Sequence, residues 1–202
     1  MNCGWGVVSC RSNVANAAPK SKAVFLDRDG TLIEDKDYLK SPEEVVLFPG
    51  AAEALRALHD AGYLLVLVTN QSGVGRGYFS LEDVFRVHEH LQSLLAAGGV
   101  RLDSIYVAPE APGQPILGRK PSPRFLLDAR DSLGIDLARS YMVGDKAADV
   151  ECGRRAGVAS SILVRTGYGA RTERELGEGL EKVVVVDDLA AAAAWVLGGG
   201  EL

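Results

Sequence analysis

Cysteine and histidine are scarce in this chain, with three of each in 202 residues. Cys3, Cys10 and Cys152 are odd in number and widely scattered, so they point to neither a disulfide framework nor a Cys/His zinc site. A reducing compartment, the cytoplasm, is the simplest expectation. Long apolar runs are missing too. Val183-Val184-Val185-Val186 is far too short to span a bilayer and is followed by two acids, so no membrane partner is expected. Positive charge is in deficit: 22 Lys and Arg against 27 Asp and Glu leave a net charge of −5. That balance argues against a duplex-binding surface, so no nucleic-acid partner is expected. A small-molecule substrate and a monomer are expected instead.

What remains is ordinary globular composition, 47% hydrophobic and 24% charged, in a length that suits one well-cored domain. Residues 1–21 are rich in Ser, Asn, Ala and Gly and lack a periodic pattern, so they read as an irregular leader ahead of one domain over 22–202. From there apolar runs alternate with helical patterns. Strands are expected near 23–27, 64–69, 104–108, 141–144, 161–164 and 183–186. Helices are expected from about Pro49, Ser80, Pro121–Pro123 and Lys146, and over 188–197. Ser80 is a natural N-cap, with Leu81, Val84, Phe85, His88, Leu91 and Leu95 on one helical face. The alternation implies an α/β fold, a doubly wound, mainly parallel Rossmann-like sheet with helices on both faces and no separate cap domain. The long linker 30–48 is expected to be a flap.

Polar clusters follow the apolar runs. Ala23-Val24-Phe25-Leu26 ends in Asp27-Arg28-Asp29-Gly30-Thr31, and Leu64–Val68 ends in Thr69-Asn70-Gln71-Ser72-Gly73. Tyr141-Met142-Val143 ends in Gly144-Asp145-Lys146, with Asp149 four residues on, and Gly118-Arg119-Lys120-Pro121 precedes a helical pattern. Each cluster alone has an ordinary reading: Asp-Gly as a turn, Asp145 and Asp149 as helix-start acids, Lys120 as a solvated loop lysine. Jointly they are more telling, because open α/β sheets bind ligands beyond the carboxyl ends of their strands. Two acids at the end of a buried strand need compensation, which a divalent cation supplies best. Magnesium takes one or two carboxylates, waters and phosphate oxygens. Asp27, nearest the strand, is the candidate nucleophile, and Asp29 the candidate acid and base. Asp145 is the candidate third metal ligand, and Asp149 a holder of metal-bound water. Thr69, Asn70 and Lys120 are candidates for phosphate oxygens. Arg76 and Arg119 stand where a second anionic group would reach. His88 and His90 carry little weight as metal ligands, since two residues apart on a helix they face different ways.

These four clusters, in this order, resemble those of the haloacid dehalogenase superfamily of phosphatases, over about residues 22–197. The resemblance implies hydrolysis through an aspartyl-phosphate on Asp27, with Asp29 as acid and base, Thr69 and Lys120 in the catalytic set, and Mg²⁺ on Asp27, Asp145 and the Asp29 backbone carbonyl. Longer strings resemble the branch that takes a heptose bisphosphate, with histidinol-phosphate phosphatases as relatives carrying the same strings. A phosphorylated sugar substrate is therefore implied, its phosphate met by Arg119 and Lys120 with help from Arg76. Many members of that branch carry a Cys/His zinc loop before the Arg-Lys-Pro string. Residues 107–118 have no Cys and no His, so no zinc is expected, and the prolines are expected to shape this loop. The rival reading, a non-catalytic phosphate-binding module, would require loss of Asp27, Asp29 or Asp145, and all three are present.

Overall fold

Apolar side chains on consecutive positions of a strand must go to opposite faces, so a continuously apolar strand needs cover on both. The computed structural model, which describes residues 21–180 and 183–199, meets that requirement; the expected leader lies outside the described residues apart from Ser21. Strands β1 (Lys22–Leu26), β2 (Tyr63–Asn70), β3 (Ser104–Ala108), β4 (Tyr141–Gly144), β5 (Ser160–Val164) and β6 (Val183–Val186) form a parallel sheet in the order β3-β2-β1-β4-β5-β6. The helices are α1 (Ala51–Asp60), α2 (Ser72–Gly75), α3 (Leu81–Ala97), α4 (Arg124–Leu133), α5 (Ala147–Ala156), α6 (Gly169–Leu176) and α7 (Leu189–Leu197). Val24, Leu26, Leu65 and Leu67 pack with the buried residues of α1, α3 and α7. Their neighbours Ala23, Phe25, Val66 and Val68 pack with Leu126 and Ala129 of α4 and Cys152 of α5. Among the described residues, no helix is long and apolar enough to cross a membrane.

Ser80 caps α3 as expected: its hydroxyl accepts from the Asp83 amide at 3.2 Å, and the Asp83 carboxylate accepts from the Ser80 amide at 2.8 Å. The buried stripe of α3 is Val84, Val87, His88, Leu91 and Leu95, whereas Phe85, expected on it, is exposed. The linker 30–48 is only partly a flap. Leu32, Ile33, Leu39 and Val45 are buried, and the Phe48 amide donates to the Leu32 carbonyl at 3.0 Å. These apolar residues follow no helical or strand period, so their place in the core is not visible from pattern alone. The excursion that reaches the cavity described below carries Asp35, Asp37 and Tyr38. Helices α2 and α6 were not expected. Both are short, and α6 buries only Gly169 and Thr172, so neither has an apolar stripe to read.

The chain leaves β1 toward β2 and β3, then crosses to β4 on the other side of β1. The crevice beyond the ends of β1 and β4 is thus the switch point of the sheet, where open α/β folds bind ligands.

Candidate active site

Asp27 follows β1 directly, its amide donating to the Val143 carbonyl of β4 at 2.9 Å. Asp145 follows β4, and Asp149 sits in the first turn of α5, with Asp149 Oδ2 accepting from the Lys146 amide at 2.9 Å. Adjacent parallel strands therefore bring three buried carboxylates together. Ligand atoms of Asp27, Asp145 and Asp149 lie within 4.8 Å of one another, and among the described residues this is the one such group of metal-capable side chains.

Lys120, 3% exposed, enters this cluster from the loop before α4. Its ammonium lies 2.8 Å from Asp27 Oδ1 and 2.7 Å from Asp149 Oδ1. Burial opposes its charge, but the two carboxylates outweigh burial and raise its pKa. Asn70, the last residue of β2, holds the lysine backbone from both sides. Its Oδ1 accepts from the Lys120 amide at 2.9 Å, and its Nδ2 donates to the Lys120 carbonyl at 3.1 Å. The Asn70 side chain thus positions Lys120, a task its place in the sequence does not disclose.

Asp145 tests whether a cation fits. Its Oδ2 accepts from the Tyr168 amide at 2.8 Å, while its buried Oδ1 has no hydrogen-bond partner. The Lys146 ammonium, 3.8 Å away, is its nearest ion-pair partner. Burial first, and then Asp27, push its carboxyl up to about 7. A buried carboxylate oxygen without a donor, facing two more acids, suits a divalent cation held by oxygen ligands. Gly30 makes the close approach possible: at φ +83° it packs against Asp145 Oδ2, where any Cβ would collide with the carboxylate.

The Asp29 carboxylate is not part of this cluster. It receives the Arg28 guanidinium through Nε at 3.1 Å to both oxygens and through Nη2 at 2.9 Å, and Gln71 Nε2 at 2.9 Å. Gln71 Nε2 also donates to Thr69 Oγ1 at 2.8 Å. Asp29, Asn70 and Gln71 line a cavity of about 260 Å³ with Arg28, Asp35, Tyr38, Lys146 and Tyr168. Arg76 is exposed and Arg119 half-buried; neither lines this cavity, and Arg119 donates through Nη1 to the Glu110 carbonyl at 3.2 Å.

Several site residues escaped sequence reasoning. Arg28, 1% exposed, meets His88 of α3 at 3.2 Å between Nη1 and Nε2. Lys146 reaches Asp35 of the linker at 3.1 Å. Burial, and then Arg28, lower the His88 pKa to about 3. The guanidinium only donates, so His88 Nε2 accepts, and the ring is neutral. A histidine kept neutral in the fold leaves the unfolded chain as the state that binds a proton below pH 6.5. Stability therefore falls as pH drops from 6.5 toward 3. The cost at pH 5 is about 2 kcal/mol. His88→Gln keeps an acceptor for Arg28 and removes the titration. Denaturant unfolding at pH 7 and pH 5 should show the wild type losing about 2 kcal/mol more than the variant. Equal losses would contradict the neutral, buried imidazole.

A family model described as HAD-hyrolase-like matches residues 117–192. The chain is 41% identical over 187 residues to a D-glycero-D-manno-heptose-1,7-bisphosphate 7-phosphatase of Thermosynechococcus vestitus, covering 86% of this chain and 94% of that protein. It is 40% identical over 182 residues to a D-glycero-beta-D-manno-heptose-1,7-bisphosphate 7-phosphatase of Yersinia pestis, covering 87% and 89%. Its fold superposes with a TM-score of 0.82, at 36% identity, on the D,D-heptose 1,7-bisphosphate phosphatase of B. bronchiseptica complexed with magnesium and phosphate, covering 88% of this chain and 98% of that one.

Proposed function

This chain belongs to the haloacid dehalogenase-like phosphatases, and from that premise we propose that it removes the 7-phosphate of D-glycero-D-manno-heptose 1,7-bisphosphate through an aspartyl-phosphate on Asp27. The observation that carries the chemistry is the buried cluster of Asp27, Asp145, Asp149 and Lys120 at the switch point. The substrate reading rests on relatives of that name, alike over most of both chains.

Asp27, Asp145 and the Asp29 backbone carbonyl would hold Mg²⁺, with Asp149 holding a metal-bound water; the ion, when bound, neutralises charge on the phosphoryl group being transferred. Lys120 and the Arg28 amide both meet Asp27 Oδ1 at 2.8 Å and fix the orientation of the carboxylate. Asp27 attacks, a new P–O bond forms, and the sugar P–O bond breaks. Asp29, whose oxygens here accept from Arg28 and Gln71, has to release the guanidinium to take up the proton that it gives to the leaving oxygen. The Asp29 carboxylate then takes a proton from water, which attacks the aspartyl-phosphate and frees Asp27 and inorganic phosphate. Thr69 and Asn70 at the end of β2, and Lys120, meet the phosphate oxygens. Arg119, with Arg76, takes the second phosphate. The enzyme works as a cytoplasmic monomer.

The test is kcat/KM for the heptose bisphosphate and for histidinol phosphate, with Arg119→Ala in parallel. The bisphosphate should win by at least about tenfold, or 1.4 kcal/mol of transition-state binding, and Arg119→Ala should erase most of that margin. A tenfold preference for histidinol phosphate would overturn the heptose assignment.

A further inference from the structure

Glu110 is buried, yet its carboxylate carries no ion pair with any described side chain. A buried, unpaired carboxylate is costly unless donors converge on it. Three consecutive amides do so here. Glu110 Oε1 accepts from Leu117 at 2.7 Å, Gly118 at 2.8 Å and Arg119 at 3.3 Å. Burial pushes the carboxyl up, but these amides outweigh it and keep the group ionised.

What this bond set holds is the loop that delivers two cations. Leu117, Gly118 and Arg119 run directly into Lys120, whose backbone is gripped by Asn70. At the near end, Gln114 accepts from the Ala111 amide at 2.8 Å, and the Gly75 amide donates to the Pro109 carbonyl at 2.9 Å. Besides the bonds at these ends, Gly118 packs closely against the Phe125 ring. Ile116 and Leu117 are 65% and 62% exposed, so their packing does not shape the loop. To whatever shape the prolines of this loop impose, the carboxylate adds three convergent contacts at its far end.

Arg119 is thereby oriented twice. Its amide bonds the Glu110 carboxylate, and its Nη1 donates to the Glu110 carbonyl at 3.2 Å. One donor of its fork is engaged there, and other donors remain for an anion.

We propose that Glu110 is a positioning residue for the substrate's second phosphate: its carboxylate fixes the backbone from which Arg119 reaches that group. This rests on the bisphosphate reading above. A pre-oriented arginine binds its anion without having to be ordered first, so the effect belongs in KM and only for a substrate with two phosphates.

The experiment measures kcat and KM for the heptose bisphosphate and for p-nitrophenyl phosphate, which has a single phosphate. The variants are Glu110→Ala, Glu110→Gln, Arg119→Ala and the double alanine. Glu110→Ala should raise the bisphosphate KM about tenfold with kcat nearly unchanged, and shift p-nitrophenyl phosphate less than about threefold. The double variant should be no worse than Arg119→Ala alone, because the two residues act as a unit. Glu110→Gln keeps an acceptor but loses charge-assisted bonding, and should raise the bisphosphate KM about threefold. If the alanine variant does not fold, the glutamine variant decides, its p-nitrophenyl phosphate KM then being expected to stay at the wild-type value. Equal losses on both substrates, an unchanged bisphosphate KM, or additive losses in the double variant would each overturn the proposal. A wild type indifferent to the second phosphate sinks the substrate reading and this inference with it. A preference lost in Arg119→Ala but kept in Glu110→Ala sinks this inference alone.

Discussion

Asp27→Asn should drop kcat by about 10⁴-fold or more while leaving the protein folded, since removing a covalent nucleophile costs most of the chemical step. The substitution keeps the side chain's shape and an acceptor for the Lys120 ammonium, which now lies 2.8 Å from Asp27 Oδ1. It also removes one of three acids crowded within 4.8 Å. Asp145, pushed up by burial and by Asp27, is relieved rather than strained by the loss. The melting temperature in chelator should therefore hold or rise. Single-turnover phosphate release and a thermal melt together check this. Release at a near-wild-type rate would remove Asp27 from the nucleophile's role, and a large loss of stability would show that its negative charge is structural.

The parts of this architecture that sequence makes legible are those set by short-range pattern. Ala23–Leu26 and Leu64–Val68 are apolar without interruption because both faces of the sheet are covered, and each is followed at once by polar residues. Strand ends therefore announce Asp27, Thr69 and Asp145 as neighbours across a parallel sheet. Lys120 is legible for a related reason: a cation just before a helix is unfavourable there unless anions sit nearby. Asp27 and Asp149 are those anions.

What sequence hides are contacts whose two halves carry no local signal. Arg28 stands between two acids and looks like their surface counter-ion. Its second partner is His88, 60 residues away on the buried stripe of α3. A histidine on an apolar face is a hint that some polar group must meet it, but nothing in the helix says which. Asn70 grips a backbone 50 residues on, and Glu110 grips amides seven to nine residues on in a segment without period. The same limit explains the linker: Leu32, Ile33, Leu39 and Val45 are core, but irregular backbone leaves no spacing to reveal it.

The second large effect is expected at Lys120, where catalysis and folding depend on one charge. Lys120→Met fills the space of the buried stem and removes the ammonium between Asp27 and Asp149. Breaking a buried ion pair by deleting one partner typically costs about 3–5 kcal/mol, because the other charge is left without compensation. Two carboxylates are stranded here, with Asp145 beside them. Denaturant unfolding in chelator should show a loss of that size, and kcat should collapse with it, since the phosphate loses its fixed cation. A second substitution separates the two effects. Lys120→Met with Asp149→Asn removes one of the stranded charges, so most of the stability should return while turnover stays low. Recovery of turnover along with stability would show that Lys120 serves only to hold the fold. A single variant as stable as wild type would mean that the acids share a proton once the lysine is gone.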